Sequence, residues 1–85
     1  MKAVDRELLL RRLAVEEALD RLDQYLYDAF MAGLPSVRIV HGKGTGKLRH
    51  AVHESLGKHP LVKSYRLGDH GEGGYGATVV ELKNR

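Results

Sequence analysis

The 85-residue sequence predicts one α/β (α+β) domain. The expected architecture is a two-layer sandwich in the order β-α-β-α-β-β, a four-stranded mixed sheet with two helices. Three observations predict it. Apolar residues recur at the helical period from Val15 to Phe30. Short β-branched runs stand at Val37–Val40 and Ala77–Leu82. Glycine clusters punctuate the chain between such segments. A chain this short buries only about 60–65% of its unfolded surface, so there is room for one small core.

The elements follow in order. Leu8–Leu10 is expected as a strand, because it then forms a βαβ unit with the second strand; residues 1–7 are expected to be linker. In the first helix Val15, Ala18, Leu19, Leu22, Leu26, Ala29 and Phe30 share one face. Glu16, Glu17, Asp20, Asp23, Gln24 and Asp28 take the other, and Glu17 can pair with Arg21 at i, i+4. Gly33 and Pro35 end the helix. Val37–Val40 reads as a buried central strand, ended by His41. Thr45 is expected to cap the second helix, whose buried stripe is Leu48, Ala51, Val52 and Leu56. Gly57 and Pro60 stop it. Leu61–Leu67 is a strand anchored by Val62 and Leu67. Gly68–Gly76, with five glycines in nine residues, is expected to be a flexible loop, and Ala77–Leu82 is the last strand. No internal repeat is present.

Composition excludes several chemistries. Apolar residues make up 42% and charged residues 29%, which suits a globular domain. There is no cysteine, which excludes disulfides, thiolate catalysis and thiolate metal sites. No apolar run approaches the roughly 20 residues of a membrane span. No signal peptide is visible. A cytoplasmic protein without a membrane partner is expected.

The net charge of +3 is unevenly placed. Residues 1–32 hold five Lys/Arg and seven Asp/Glu, a net −2. Residues 33–66 hold seven Lys/Arg and one acid, Glu54, a net +6. That segment also carries four of the five histidines. One reading is a solvated basic face; the sharper one is a surface for a polyanion.

The basic segment contains "HGKGTG", His41 to Gly46, between a strand and a helix. Such a turn offers unbonded backbone N–H groups to a phosphate, with the helix dipole behind them. Nucleotide motifs fail here. A phosphate-binding loop ending at Gly46-Lys47 puts His41 at the first glycine and Leu48 where Ser or Thr holds magnesium. The dinucleotide fingerprint meets Lys47 or Arg49 at its third glycine. A nucleic-acid backbone fits better, because it offers many phosphates to an extended basic surface. Gly42, Gly44, Thr45 and Gly46 are the candidate phosphate-binding turn, with Lys43, Lys47 and Arg49 supplying charge. His41 has two readings: a strand-end residue bonded to a loop carbonyl, or a general acid or base. His50 and His53 lie at i, i+3 without a third ligand, so no zinc spacing is present. The aromatic residues are scattered and form no stacking platform. Tyr65 reads as core or rim, and Tyr75 is the candidate for a nucleic-acid contact.

These residues resemble a known family. "HGKGTG", with "GEGGYGATVVEL" at Gly71 to Leu82 and "VEEAL" at Val15 to Leu19, is similar to the Smr (small MutS-related) domain. The likeness is strongest to the copy at the C-terminus of the second bacterial MutS family, and it runs from about Leu8 to Leu82. The resemblance implies a fold similar to the C-terminal domain of translation initiation factor three. It implies a nicking endonuclease acting on branched or recombination-intermediate DNA with little sequence preference, in a repair and recombination setting. The alternative it implies is a non-catalytic module that binds RNA or the ribosome. For the nicking endonuclease, charge stabilisation is expected from Arg11 and Lys43 and general acid or base action from His41, with nucleic-acid contacts from Gly42, Gly44, Thr45, Gly46, Lys47, Arg49 and Tyr75. The family strand "LDLxG" reads "LLLRR" here: Leu9 stands at the usual Asp and Arg12 at the usual Gly, while Arg11 keeps the basic position. A divalent cation, magnesium or manganese, is the cofactor the family pattern implies, and Leu9 removes the acid expected to serve it. The chain is expected to be a monomeric C-terminal piece of a larger dimeric protein with an ATP-binding region and clamp upstream.

Overall fold

A computed structural model describes residues 3–85. Its elements are β1 (Glu7–Leu9), α1 (Val15–Met31), β2 (Ser36–Val40), α2 (Lys47–Lys58), β3 (Val62–Leu67) and β4 (Ala77–Leu82). The sheet order is β1-β2-β4-β3, so the last strand is inserted between two earlier ones. β1 and β2 are parallel; β4 runs antiparallel to both of its neighbours. The mixed sheet and two helices agree with the architecture expected from the sequence.

Strand alternation sorts the side chains. Val37 and Ile39 of β2 and Val80 and Leu82 of β4 point to the helices and are buried. They pack with Leu22 and Leu26 of α1 and Val52 and Leu56 of α2. Truncating one such leucine to alanine costs about 2–5 kcal/mol. On the opposite face Glu7, Arg38, Val79 and Arg66 stand in one cross-strand row. Arg38 Nε donates to Glu7 Oε2 at 2.7 Å. Neither α1 nor α2 lines the clefts on this second face.

Helix α1 closes with the Gly33 amide donating to the Phe30 carbonyl and the Leu34 amide to the Ala29 carbonyl, at 3.0 and 3.1 Å. This paired closure satisfies two carbonyls that the helix end leaves open. The Glu17–Arg21 pair expected from spacing forms at 3.0 Å on the exposed side. His59 ends α2; its side chain is 6% exposed and its Nε2 meets Asp23 Oδ1 at 3.0 Å, tying α2 to α1.

Three expectations need correction. Residues 1–7 are not simply linker: Met1 and Lys2 lie outside the described residues, but Glu7 is in β1 and Val4 packs on the core. The Tyr25 hydroxyl donates to the Asp5 carbonyl at 2.5 Å. Burial, then the nearby Asp5 and Glu7 carboxylates, push its pKa up to about 12. Thr45 does not cap α2. The capping position is Gly46 in the left-handed conformation, and Thr45 Oγ1 lies a long 3.4 Å from the Lys47 amide. Nor is Gly68–Gly76 without structure. It folds into two 3₁₀ turns, His70–Glu72 and Gly74–Gly76. Glu72 fastens the first: its Oε1 accepts from the Asp69 amide at 2.9 Å and from Arg66 Nη1 at 2.8 Å, and its Oε2 from Arg66 Nη2 at 3.0 Å. The Arg66 bonds, then the Asp69 amide, hold the Glu72 pKa down at about 2.

The β1–α1 junction turns through Leu10–Leu13, closed by the Leu13 amide on the Leu10 carbonyl at 3.2 Å. Arg12, third residue of that turn, has φ +72°. A side chain in this left-handed region is strained by about 1–2 kcal/mol, which is why such turns favour glycine. Arg12→Gly is expected to stabilise the domain by about 1 kcal/mol, net of the entropy glycine adds to the unfolded chain. Thermal melting should rise by about 4–8 °C.

Candidate nucleic-acid interface

The site forms where β2 ends. The sheet carries the β1–α1 junction at Arg11 and the β2–α2 junction at His41–Lys47 to the same edge, as parallel βαβ geometry requires. The Gly68–Gly76 segment joins them there. The Gly76 carbonyl accepts both the His41 amide at 3.0 Å and the Gly42 amide at 2.9 Å. Gly42 has φ +83°, and an added side-chain carbon would stand 3.3 Å from Arg11 Cβ. Only glycine suits both the conformation and the close approach. The two junctions therefore touch.

This arrangement divides the backbone N–H groups of the turn. The Gly42 amide is spent on Gly76, so the expectation that it holds a phosphate is corrected. The amides of Lys43, Gly44 and Thr45 have no protein acceptor among the described residues, and the Gly46 amide closes the turn over Gly44 and Thr45. They lead directly into the N-terminus of α2. That is an anion site in the physical sense: unbonded donors with the positive end of a helix dipole behind them.

The surrounding charge agrees. Gly42 and Lys43 form a ridge between two clefts. One, about 470 Å³, has Arg11, Arg38 and Lys43 on its rim and Leu9 and Val40 on its wall. The other, about 340 Å³, is lined by Arg12, Lys43, Lys47 and Arg49 with the glycine turn itself. Among the described residues, Arg11, Arg12, Lys43, Lys47 and Arg49 lie within ion-pair distance of no carboxylate. Away from the turn Arg21, Arg38, Lys58 and Arg66 are paired, while Arg6, Lys63, Lys83 and Arg85 stand scattered, without a carboxylate partner among the described residues; at the turn the five unpaired cations are gathered together. A cleft of about 580 Å³ between the N-terminal segment and α1 is lined by Asp5, Glu7 and Asp28 and, among the described residues, by no cation. It repels the ligand that the glycine turn attracts. Tyr75 is 67% exposed next to Gly76, and so stands at the same edge of the sheet.

His41 is elsewhere than expected. Its side chain is buried at 4% exposure. Nδ1 meets the Gly42 carbonyl at 2.9 Å and Nε2 meets Thr78 Oγ1 at 2.8 Å. Both ring nitrogens are thus engaged inside the protein, and neither faces a phosphate. The general acid or base role does not match this geometry; the strand-end residue bonded to a loop carbonyl does. Thr78 and His53 were not anticipated at the site. His53 Nε2 lies 2.7 Å from the same Thr78 hydroxyl, and its ring packs on Tyr65 with centroids 5.0 Å apart. Burial lowers the pKa of both histidines. Arg49 opposes protonation of His41, and His41, Arg49 and His50 oppose protonation of His53.

Magnesium or manganese finds no matching donor set here. Glu7 and Glu72 are the carboxylates at the larger basic cleft. Glu7 is bonded by Arg38 and Glu72 by Arg66. Leu9, 55% exposed on the wall of that cleft, is apolar and offers no ligand. Among the described residues no three His, Cys, Asp or Glu side chains converge as a metal site. No described helix is long and apolar enough to cross a membrane.

Comparison with known proteins points the same way. The profile of the Smr domain matches residues 8–83. A Thermomicrobium roseum protein named endonuclease MutS2 is 62% identical over 80 residues, which is 94% of this chain and 10% of that protein. The chain thus spans about a tenth of the length of such relatives. The crystal structure of the Smr domain of Thermus thermophilus MutS2 superposes with a TM-score of 0.88 at 48% identity, covering 91% of this chain and 96% of that one. YdaL, a stand-alone small MutS-related protein from Escherichia coli, gives 0.87 at 32% identity, covering 93% and 65%.

Buried His41 and half-buried His53 carry a pH signature. Unfolded histidine titrates near 6.5. With folded pKa values below that, the unfolded chain binds more protons under mild acid, so stability is full above about pH 7 and falls as pH drops through 6.5. Each ring contributes at most about 1.4 kcal/mol per pH unit. Urea unfolding of the wild type and of His53→Gln, at about pH 7.5 and 5.5, is expected to show a smaller acid loss in the variant.

Proposed function

The chain belongs to the Smr domain family, and on that premise we propose that it binds the sugar–phosphate backbone of DNA and nicks it as an endonuclease of low sequence preference. One observation carries the binding: a run of unbonded amides, Lys43 to Thr45, just ahead of a helix N-terminus and ringed by five cations without a carboxylate partner among the described residues. These groups meet phosphates and sugars, which carry no sequence information. The two basic clefts on either side of the Gly42–Lys43 ridge suit two backbones diverging at a branch, so branched or recombination-intermediate DNA is the substrate class of this reading.

For cleavage, the turn amides hold a non-bridging oxygen of the phosphate. Arg11 and Lys43 oppose the negative charge that develops as the phosphorus gains a fifth oxygen. Lys47 and Arg49 track the flanking backbone. His41 acts one step back, by holding the Gly42 carbonyl. A second reading, a non-catalytic module for RNA or the ribosome, is favoured by a specific observation. Both ring nitrogens of His41 and both carboxylate oxygens of Glu72 are bonded within the protein, and Glu7 is held by Arg38 through Oε2, so the groups nearest the phosphate position are committed to the protein's own structure.

Supercoiled plasmid incubated with the domain, with magnesium or manganese and then with chelator, separates the readings. Nicked circles are expected, with Arg11→Ala and Lys43→Ala each slowing nicking by about 100-fold, the scale of losing one charge-stabilising donor. Tight binding to structured RNA without any nicked plasmid gives the second reading instead. Independently, Lys47→Ala and Arg49→Ala are each expected to lower the slope of log affinity against log salt by about 1, measured by fluorescence anisotropy.

A further inference from the structure

We propose that Thr78 and His53 are positioning residues for the glycine turn, acting through His41 by a chain of hydrogen bonds whose protons are fully ordered. This inference rests on the nucleic-acid reading above for its consequence in binding, but not for its structure.

The order of the protons follows from what each atom can do. A carbonyl oxygen only accepts, so the 2.9 Å contact at Gly42 puts the proton of His41 on Nδ1. Nε2 of the neutral ring is then an acceptor. The Thr78 hydroxyl has one hydrogen and donates it there at 2.8 Å. Its oxygen is left to accept, at 2.7 Å, and His53 must offer Nε2–H. The chain runs from His53 on α2, through Thr78 on β4 and His41 at the end of β2, to the Gly42 carbonyl. Thr78 is fully buried and no buried side-chain nitrogen or oxygen among the described residues lacks a partner. Gly42 is therefore gripped at both ends of its residue, by Gly76 at its N–H and by His41 at its carbonyl. With Gly42 fixed, the turn that follows presents Lys43 to Thr45 outward.

The charged and titratable groups around this chain are the two histidines themselves, Arg49 and His50 on α2, Tyr65 on β3 and Arg11 beside Gly42. None is a carboxylate. Burial above all, and then Arg49, work against a charged His41; the Gly42 carbonyl favours it, but the net shift is downward, so the neutral, ordered arrangement is the stable one.

The test is side-chain ¹⁵N NMR of the histidines in the 85-residue chain, amide hydrogen exchange at Gly42, and anisotropy with a short fluorescent DNA duplex. Near neutral pH, His41 is expected as the Nδ1–H tautomer and His53 as Nε2–H. Thr78→Val, which keeps the shape and removes the hydroxyl, should speed Gly42 exchange and weaken duplex binding by about tenfold each, the worth of one hydrogen bond. Thr78→Ser should stay within about twofold of wild type in both. A wild-type His41 carrying its proton on Nε2, or Val and Ser variants that behave alike, overturns the proposal. If Thr78→Val does not fold, the wild-type tautomers and the exchange of the Ser variant decide it. If the wild type binds no duplex, the nucleic-acid reading fails, while tautomers and exchange still decide the positioning role.

Discussion

The geometry of this domain depends on one carbonyl. Gly76 accepts two successive amides, those of His41 and Gly42, where β2 gives way to the glycine turn. That double acceptance ends the β2–β4 ladder and sets the direction in which the chain leaves the sheet. It brings the 3₁₀ segment to the edge that already holds Arg11. Without it, the turn would carry the same residues but no fixed relation to the β1–α1 junction. Glycine serves this closeness at Gly42, where the left-handed conformation and the 3.3 Å approach to Arg11 Cβ both disfavour a side chain.

Around that point the protein separates two kinds of polar chemistry. Inside, the histidine and threonine groups are neutral and mutually satisfied, and burial opposes any charge on them. Outside, the cations near the turn are left without carboxylate partners, although unpaired surface acids exist on α1. A cation already in an ion pair offers less to a phosphate, because the pair must first be broken. The paired arginines, Arg38 and Arg66, instead fasten the open sheet face and the 3₁₀ turn. Position decides which role an arginine takes.

Much of this was legible in the sequence, and the limits have physical reasons. The α1 stripe runs over many turns, so its period fixes both the helix and its buried face. The last strand was read with its observed bounds, Ala77–Leu82, because its β-branched run is flanked by glycine. The convergence of Arg11 with the glycine turn followed from parallel strand geometry alone. What local pattern could not supply was pairing across long sequence distances. The central place of β4, the double bond to Gly76 and the Glu72–Arg66 fastening are all of that kind. Thr78 did leave a signal: it is a polar residue on the core-facing side of a strand, in phase with Val80 and Leu82. His53, beside Val52 on the buried side of α2, left another. Two polar residues aimed at one core ask for each other. Gly68–Gly76 departs from the flexible loop that its glycines predict because Glu72 and Arg66 hold the backbone between those glycines.

The order of strands has a consequence for how the domain comes into being. The strand at the heart of the sheet is synthesised after both of its neighbours. Until it arrives, β2 and β3 have an empty slot between them and the turn has nothing to close on. A nascent chain that has reached only α2 therefore owns the cations but not the geometry that aims them. Assembly of the core and of the anion-binding edge is one event, governed by contacts between distant residues and correspondingly slow for so small a protein.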